Sequence, residues 1–515
     1  MNGGSSGVPS ENLDPVGHRP LERHALLGPG EHQHRVAFDR AGPRGDELGI
    51  AWMVIGALLP MAFLCIISGR IGDAYGRRRL FLAGVAVFGF ASVGCALAPV
   101  IEALIAFRVL QGIGIAVAVP LAVSNLAGVF PVEERGRALG RGARLTTVGT
   151  IGMTLFLGAV VEYAGWRWVF CAYAVMSLVV IAATLRFVPE TRDENPPPFD
   201  PLGCLLLTVG LLLIVVGLEQ WSDWGIADAR ICLLLGSGAA VMFVFVWHEL
   251  RAPVPLIELR TLRGGQVPFA LVFLTVVQCL SIFLTFNLPI FLEHVESYGS
   301  LLVSIVLAMT SIGSLLLAPY AGRSADAGRA RLMLTGGLGL GVLAAGLTVC
   351  GVLSRQYAAI AGAMVLLGCG TALVYTPATS LVISAHPEAE KGISSALTVE
   401  ARQLGATVGL ASCQVLMTSM EWLHRRPLLE KDLAVGHGAL DKVLFDSTAA
   451  PALGHRSAAE VDAAVDSAFV FGFITVLLVL TAIVLATTLT ALWAFERPSV
   501  RHRIEPSLST AEAES

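Results

Sequence analysis

GRIGDAYGRRRL, Gly69 to Leu80, stands between two long apolar runs, and most of it returns as GRSADAGRARL, Gly322 to Leu332. Glycines at Gly69, Gly76, Gly322 and Gly328 let a chain reverse tightly, and the arginines between them hold such a turn on the cytoplasmic side of a membrane. The rest of the chain agrees with that reading. Of 515 residues, 55% are hydrophobic and 14% charged, and the mean hydropathy is +0.72. A soluble domain with so few charges would precipitate, so the chain reads as an all-α polytopic membrane protein embedded in the lipid bilayer. The net charge of -4 decides little, because placement of basic residues matters more than their sum. No basic patch interleaved with aromatics points to nucleic acid.

Apolar runs near the length of a crossing, about 20 residues, fall at 49 to 69, 80 to 99, 102 to 127, 144 to 162, 167 to 188, 201 to 219, 231 to 248, 268 to 292, 300 to 321, 332 to 352, 357 to 383, 394 to 418 and 468 to 494. That makes 13 expected spans. Alternate connections are rich in arginine (Arg77, Arg78, Arg79; Arg135, Arg137, Arg141; Arg260, Arg263; Arg323, Arg329, Arg331; Arg497, Arg501), which makes them cytoplasmic. The long 420 to 467 connection is then an external loop and 495 to 515 a cytoplasmic tail. All nine cysteines lie within apolar runs and none forms a CxxC pair, so they read as small core residues. No metal site, cofactor or Walker A loop is expected.

The punctuated turn recurs at an offset of 253 residues, and a second correspondence holds at 256. GIGIA at Gly112 matches GCGTA at Gly368, while Pro131, Glu134, Arg135 and Gly136 match Pro387, Glu390, Lys391 and Gly392. The chain therefore divides into a half at 49 to 188, a central helix pair with its flanking loops at 189 to 267, and a second half at 268 to 494. Such parallel repeats are a transporter architecture, with substrate bound between the halves. Within the repeated turn Asp73 and Asp326 can pair with neighbouring arginines or face a helix N-terminus. A breakable ion-pair latch formed by Gly69, Asp73, Gly76, Arg77, Arg78 and Asp326 is the sharper reading; a positive-inside anchor is the plainer one.

Arg108 lies about six residues inside its helix, roughly 9 Å below the surface at 1.5 Å per residue. Snorkelling accounts for many such residues. Against it, the repeat counterparts of Arg108 and Gln111 are Met364 and Leu367: the glycines that shape the helix are duplicated and the charge is not, which favours function over architecture. Glu400 and Arg402, two residues apart, do not share a helix face; Glu400 is a second candidate for proton coupling. Asn125, Gln278, Asn287, Thr371 and Tyr375 are polar groups within spans that could line a cavity or bond between helices. Gly142, Gly149 and Gly152 fall near one face of the helix at 144 and would permit close helix approach.

At these residues the sequence resembles the major facilitator superfamily. Its signature loop G-x-x-x-D-x-x-G-R-[RK] is met at Gly69, Asp73, Gly76, Arg77 and Arg78, and its fourth-helix motif R-x-x-Q-G-x-G at Arg108, Gln111, Gly112 and Gly114. The two extra central helices and SSALTVEARQLGATVGLA, Ser394 to Ala411, are similar to the fourteen-helix drug/proton antiporter branch. What the resemblance implies for Arg108 is a part in proton exchange on a nearby carboxylate and in positioning substrate. Two departures stand out. Thr154 and Leu155 occupy the fifth-helix positions where that branch has glycine and proline, although Gly158 and the Trp166, Arg167, Trp168 turn are kept. The family's first helix, which opens with Leu-Asp and carries a coupling aspartate, has only Leu13 and Asp14 at its start: residues 12 to 39 contain Arg19, Glu22, Arg23, Glu31 and Arg35, each costing about 2.5 to 3.5 kcal/mol at a bilayer centre. Residues 1 to 48 thus read as a polar N-terminal segment in which the first helix is missing or frame-altered.

The expectation is a plasma-membrane transporter, not an enzyme, with a small-molecule substrate and protons as its partners. It would export lipophilic drugs or antibiotics by alternating access; whether accessory export proteins assist is left open. An importer or uniporter of a small metabolite, and a non-transporting paralogue lacking the first helix, are the alternatives.

Overall fold

The structure is a computed structural model, and it describes residues 56–57, 60–61, 64, 68, 71–72, 75–129, 132–190, 200–221, 228–252, 267–326, 329–384, 391–430 and 458–496. Among the described residues twelve long helices follow one another: α1 (Arg77–Leu97), α2 (Ile101–Val129), α3 (Val132–Ala164), α4 (Trp166–Phe187), α5 (Pro201–Glu219), α6 (Ala229–Glu249), α7 (Val267–Ile290), α8 (Ser300–Asp326), α9 (Ala330–Ser354), α10 (Tyr357–Ser384), α11 (Lys391–Glu430) and α12 (Ala458–Glu496). Most are apolar around their whole circumference, as a helix in hydrocarbon must be, and each closes its own backbone hydrogen bonds. Hydroxyls inside them are satisfied the same way: Thr208, Thr348 and Thr481 donate to the carbonyls of Cys204, Ala344 and Leu477, four residues back.

Among the described residues eleven helices are long and apolar enough to cross a bilayer, against the 13 spans expected. Only scattered residues of the 49 to 69 span are described. The 394 to 418 span forms within α11 but is more polar than the others, carrying Glu400, Arg402, Gln403 and Gln414. It packs against α5, α7, α10 and α12, which relieves it of an all-apolar surface. Helix ends also overrun the expected limits. α11 continues to Glu430 and α12 begins at Ala458, both inside the connection expected at 420 to 467, and α3 begins within the basic stretch at Val132. Outside the bilayer polar residues propagate a helix as readily as apolar ones.

The repeat is visible in the packing. α1 packs on α2 and on α4, as α9 packs on α10 and on α12. A Cβ on Gly114 of α2 would lie 2.7 Å from the carbonyl oxygen of Gly84 in α1, and one on Gly370 of α10 would lie 2.8 Å from that of Gly337 in α9. Gly84 and Gly337 are 253 residues apart and Gly114 and Gly370 are 256 apart, the two offsets read from the sequence. Backbone meets backbone there without room for a methyl group. Gly370→Leu is therefore expected to cost about 1 to 3 kcal/mol or more through overpacking, seen as a lower unfolding temperature in detergent; Gly336→Leu, on open surface, is the neutral control.

The second half holds a large apolar core, in which Phe283 stacks on Phe473 with ring centroids 5.5 Å apart and Phe273, Leu284, Leu288 and Leu477 are fully buried. Pro289 interrupts α7, and the chain passes through a wider π-type turn over Phe291–Val295 directly after it. The central pair α5 and α6 is closed at one end by Asp200, which accepts a hydrogen bond from Gly203 N at 3.0 Å and lies 2.9 Å from His248 Nε2, and it rests on Leu404 and Val408 of α11. α3 meets α8 across the halves. Gly158 is pressed against Ser304, and Leu301 N donates to Glu162 Oε2 at 3.5 Å. Gly149 and Gly152, expected to permit close helix approach, have nothing within 4 Å of a Cβ position among the described residues.

Candidate functional site

Three groups of side chains carry charge or polarity into or beside the spans. The first is the repeated turn. Gly76 adopts φ +114, a conformation open chiefly to glycine, and its N–H donates to Gly72 O at 2.9 Å. This turn delivers the start of α1 to Glu190, just past α4. Arg78 N donates to Glu190 Oε1 at 3.1 Å, Arg78 Nη2 donates to Leu185 O at 2.8 Å, and Arg79 Nε lies 3.6 Å from Glu190 Oε2. Of the expected latch residues, Gly69 and Asp73 lie outside the described residues, and Asp326 is the last residue of α8. Arg77 and Arg78 open α1. A Cβ on Gly76 would also lie 2.8 Å from Glu190 Oε1. Gly76→Ala therefore strains the backbone and displaces Glu190 at once; slower transport at unchanged membrane abundance is the expected result, read by vesicle assays alongside blotting. Arg79 is largely exposed, so its ion pair adds little by itself.

The second group lies inside the first half. Arg108 Nη1 donates to Gln111 Oε1 at 3.0 Å, Gln111 Nε2 donates to Ser92 Oγ at 2.8 Å, and Ser92 Oγ donates to Phe88 O at 2.7 Å. This relay crosses from α2 to α1, with Gln111 and Ser92 essentially inaccessible. The Arg108 guanidinium also lies 5.6 Å from the Phe170 ring centroid, and Phe170 meets Trp166 and Tyr173 edge to face along α4. The charge is turned inward onto an amide and a ring face, where a cation is attracted by the ring quadrupole.

The third group lies in the second half, where α7, α10 and α11 converge. Tyr375 donates to Gln278 Oε1 at 2.5 Å, and the Arg402 guanidinium sits 4.3 Å from the Tyr375 ring centroid. Glu400, on another face of α11, is 1% exposed, and neither of its carboxylate oxygens has a hydrogen-bond partner among the described residues. A carboxylate so placed bears the full desolvation cost of its charge.

The structure thus joins Arg108 to Gln111, and joins Gln278, Tyr375 and Arg402, while each triad or pair stays within its own half. The remaining polar candidates are tied locally. Thr371 donates to Gly368 O at 2.8 Å and lies 3.2 Å from Ser314 of α8. Asn287, fully buried, donates to Phe283 O at 3.2 Å. Asn125 is buried, with its Oδ1 unmatched among the described residues. Sequence reading passed over Ser92, Phe170 and Glu190. Ser92 and Phe170 are unremarkable letters in apolar runs, and Glu190 gains meaning only because the turn of Gly76 faces it.

Comparison with known proteins bears on this arrangement. The family described as the Major Facilitator Superfamily matches residues 41–410. A multidrug resistance protein, Stp, of Mycobacterium tuberculosis is 27% identical over 78% of this chain and 75% of its own length. A probable actinorhodin transporter of Streptomyces coelicolor is 32% identical over 72% of this chain and 66% of its own. A tetracenomycin C resistance and export protein of Streptomyces glaucescens is 28% identical over 72% and 69%. Among solved structures, the nucleoside transporter NupG superposes with a TM-score of 0.55 at 11% identity, covering 89% of this chain and 93% of its own. A D-xylose-proton symporter gives 0.51 at 17%, covering 72% and 80%.

Proposed function

The chain belongs to the Major Facilitator Superfamily and is a multi-pass transporter of the cell membrane, and from that premise we propose that it exports a small lipophilic molecule in exchange for protons. The observation that carries this reading is its likeness, over about three quarters of the chain, to proteins named for drug resistance or for antibiotic export. The two polar groups within the spans support it. Arg108, held by Gln111 against Phe170, is a fixed cation that biases charge in the first half, and Glu400, buried with no donor among the described residues, is a proton acceptor in the second. Protonation of such a carboxylate removes its desolvation cost. Alternating access then follows if the two protonation states favour different arrangements of the halves.

Inside-out vesicles containing the protein, given a panel of lipophilic dyes and cations, test the reading. Uptake driven by respiration and collapsed by a protonophore is expected. Substrate that instead leaves these vesicles, or equilibrates without response to the proton gradient, would favour import or uniport, the reading to which Thr154 and Leu155 in α3 lend support.

A further inference from the structure

Arg402 carries its charge deep into the second half, and among the described residues no carboxylate lies within ion-pair distance of it. The spans expected at 268 to 292, 357 to 383 and 394 to 418 each have one limit on the cytoplasmic side. Gln278, Tyr375 and Arg402 lie about 8 to 10 residues inside those limits, roughly 12 to 15 Å at 1.5 Å per residue. That is near the middle of a hydrocarbon core about 30 Å thick, where secondary transporters hold their substrates, and it is farther than an arginine side chain can reach back to the headgroups. Glu400, two residues away, is on another face of α11. Arg402 Nε is buried without a hydrogen-bond partner among the described residues, and the guanidinium rests against the Tyr375 ring, 4.3 Å from its centroid.

Tyr375 also ties Gln278 to this group. Its hydroxyl proton goes to Gln278 Oε1, so the hydrogens these side chains still have to share are the N–H groups of the Gln278 amide and the Arg402 guanidinium. All three side chains are partly exposed, while Val277, Val374 and Ala401 beside them are buried. The internal repeat separates the group from architecture. At the 256-residue offset Tyr375 and Arg402 correspond to Val119 and Thr146, whereas Gly368 and Gly370 of α10 recur as Gly112 and Gly114. A positive group of N–H donors selects an acceptor, and a guanidinium is matched by a planar anion that takes two parallel hydrogen bonds. We propose that Gln278, Tyr375 and Arg402 form a subsite for the acidic group of the substrate, a carboxylate or other planar oxyanion bound to the Arg402 guanidinium, with the Gln278 amide as a second donor. The proposal rests on the export reading and narrows its substrate class from lipophilic molecules to lipophilic acids. Pairing with Arg402 is what lets such an anion sit at this depth.

Equilibrium binding to the purified full chain in detergent tests it, with no proton gradient imposed, so the result does not depend on coupling or on transport direction. The probes are an anthracene carboxylate, the matching carboxamide and the matching aminomethyl cation, followed by their fluorescence. The carboxylate should bind about tenfold to a hundredfold more tightly than the carboxamide, and the cation least. Arg402→Gln should bring the carboxylate down to the level of the carboxamide, and Arg402→Lys should restore only part of the difference. The ratio of two affinities in one preparation is insensitive to the fraction of protein that is folded, so a loss of folding does not imitate this result. Equal binding of the three probes, preference for the cation, or no binding of the carboxylate overturns the proposal, even where vesicles export cationic dyes. A carboxylate preference that survives in the Arg402→Gln protein overturns it as well. If vesicles show no proton-driven uptake while the preference disappears with Arg402, the export reading fails and the subsite stands.

Discussion

Arg108→Ala should cut proton-driven uptake about tenfold to a hundredfold while leaving membrane abundance near that of the unaltered protein. The substitution removes a charge-assisted hydrogen bond to Gln111 and a cation over Phe170. A bond of that kind is worth about 1.5 to 3 kcal/mol, and its loss at a rate-limiting step slows transport about tenfold to a hundredfold. Folding is affected less, because Gln111 keeps its bond to Ser92 and the glycine contacts between α1 and α2 do not involve the arginine. Arg108→Lys should recover little. An ammonium on a flexible stem cannot reproduce a planar guanidinium held between an amide oxygen and a ring face. The measurement is initial uptake rate per molecule of protein in inside-out vesicles. Uptake that falls only in proportion to a loss of folded protein would reassign Arg108 to packing.

Glu400→Gln should uncouple transport from the proton gradient. Gln has nearly the shape of Glu but no charge to gain or lose, so it fixes in one state a group that is 1% exposed and whose oxygens find no donor among the described residues. Substrate would still equilibrate across the membrane, but an imposed pH difference would no longer drive its accumulation. The unfolding temperature should hold or rise, since an unpaired buried charge destabilises a protein and its removal does not. Accumulation is read in proteoliposomes over a series of imposed pH differences. A full response to the gradient in the Glu400→Gln protein would show that the coupling proton binds elsewhere.

The two predictions draw on information of different kinds. Arg108 was legible in the sequence because the repeat supplies its own control: the glycines at Gly112 and Gly114 recur as Gly368 and Gly370, whereas Arg108 and Gln111 become Met364 and Leu367. Their union was legible too, since three residues along a helix share a face. Glu400 was not legible in the same way. Nothing in TVEARQ says whether a carboxylate near a helix start meets water or the interior, and that depends on α7 and α10, with α7 ending 110 residues before Glu400.

What the sequence determined by itself is the class and symmetry of the protein. Apolar length, arginine-bearing turns and the offsets of 253 and 256 residues are local or periodic quantities, and hydrocarbon permits few structures that satisfy them. That the packing of Gly114 on Gly84 is repeated by Gly370 on Gly337 agrees with those offsets. Only the tertiary structure decided which polar side chains meet and which helix faces are covered. Tyr375 donating to Gln278, Glu190 receiving the turn of Gly76, and the Ala401 carbonyl accepting from Thr275 are relations between distant segments. Side-chain hydrogen bonds reach about 3 Å and close packing about 4 Å, so such relations exist only once the helices have been brought together.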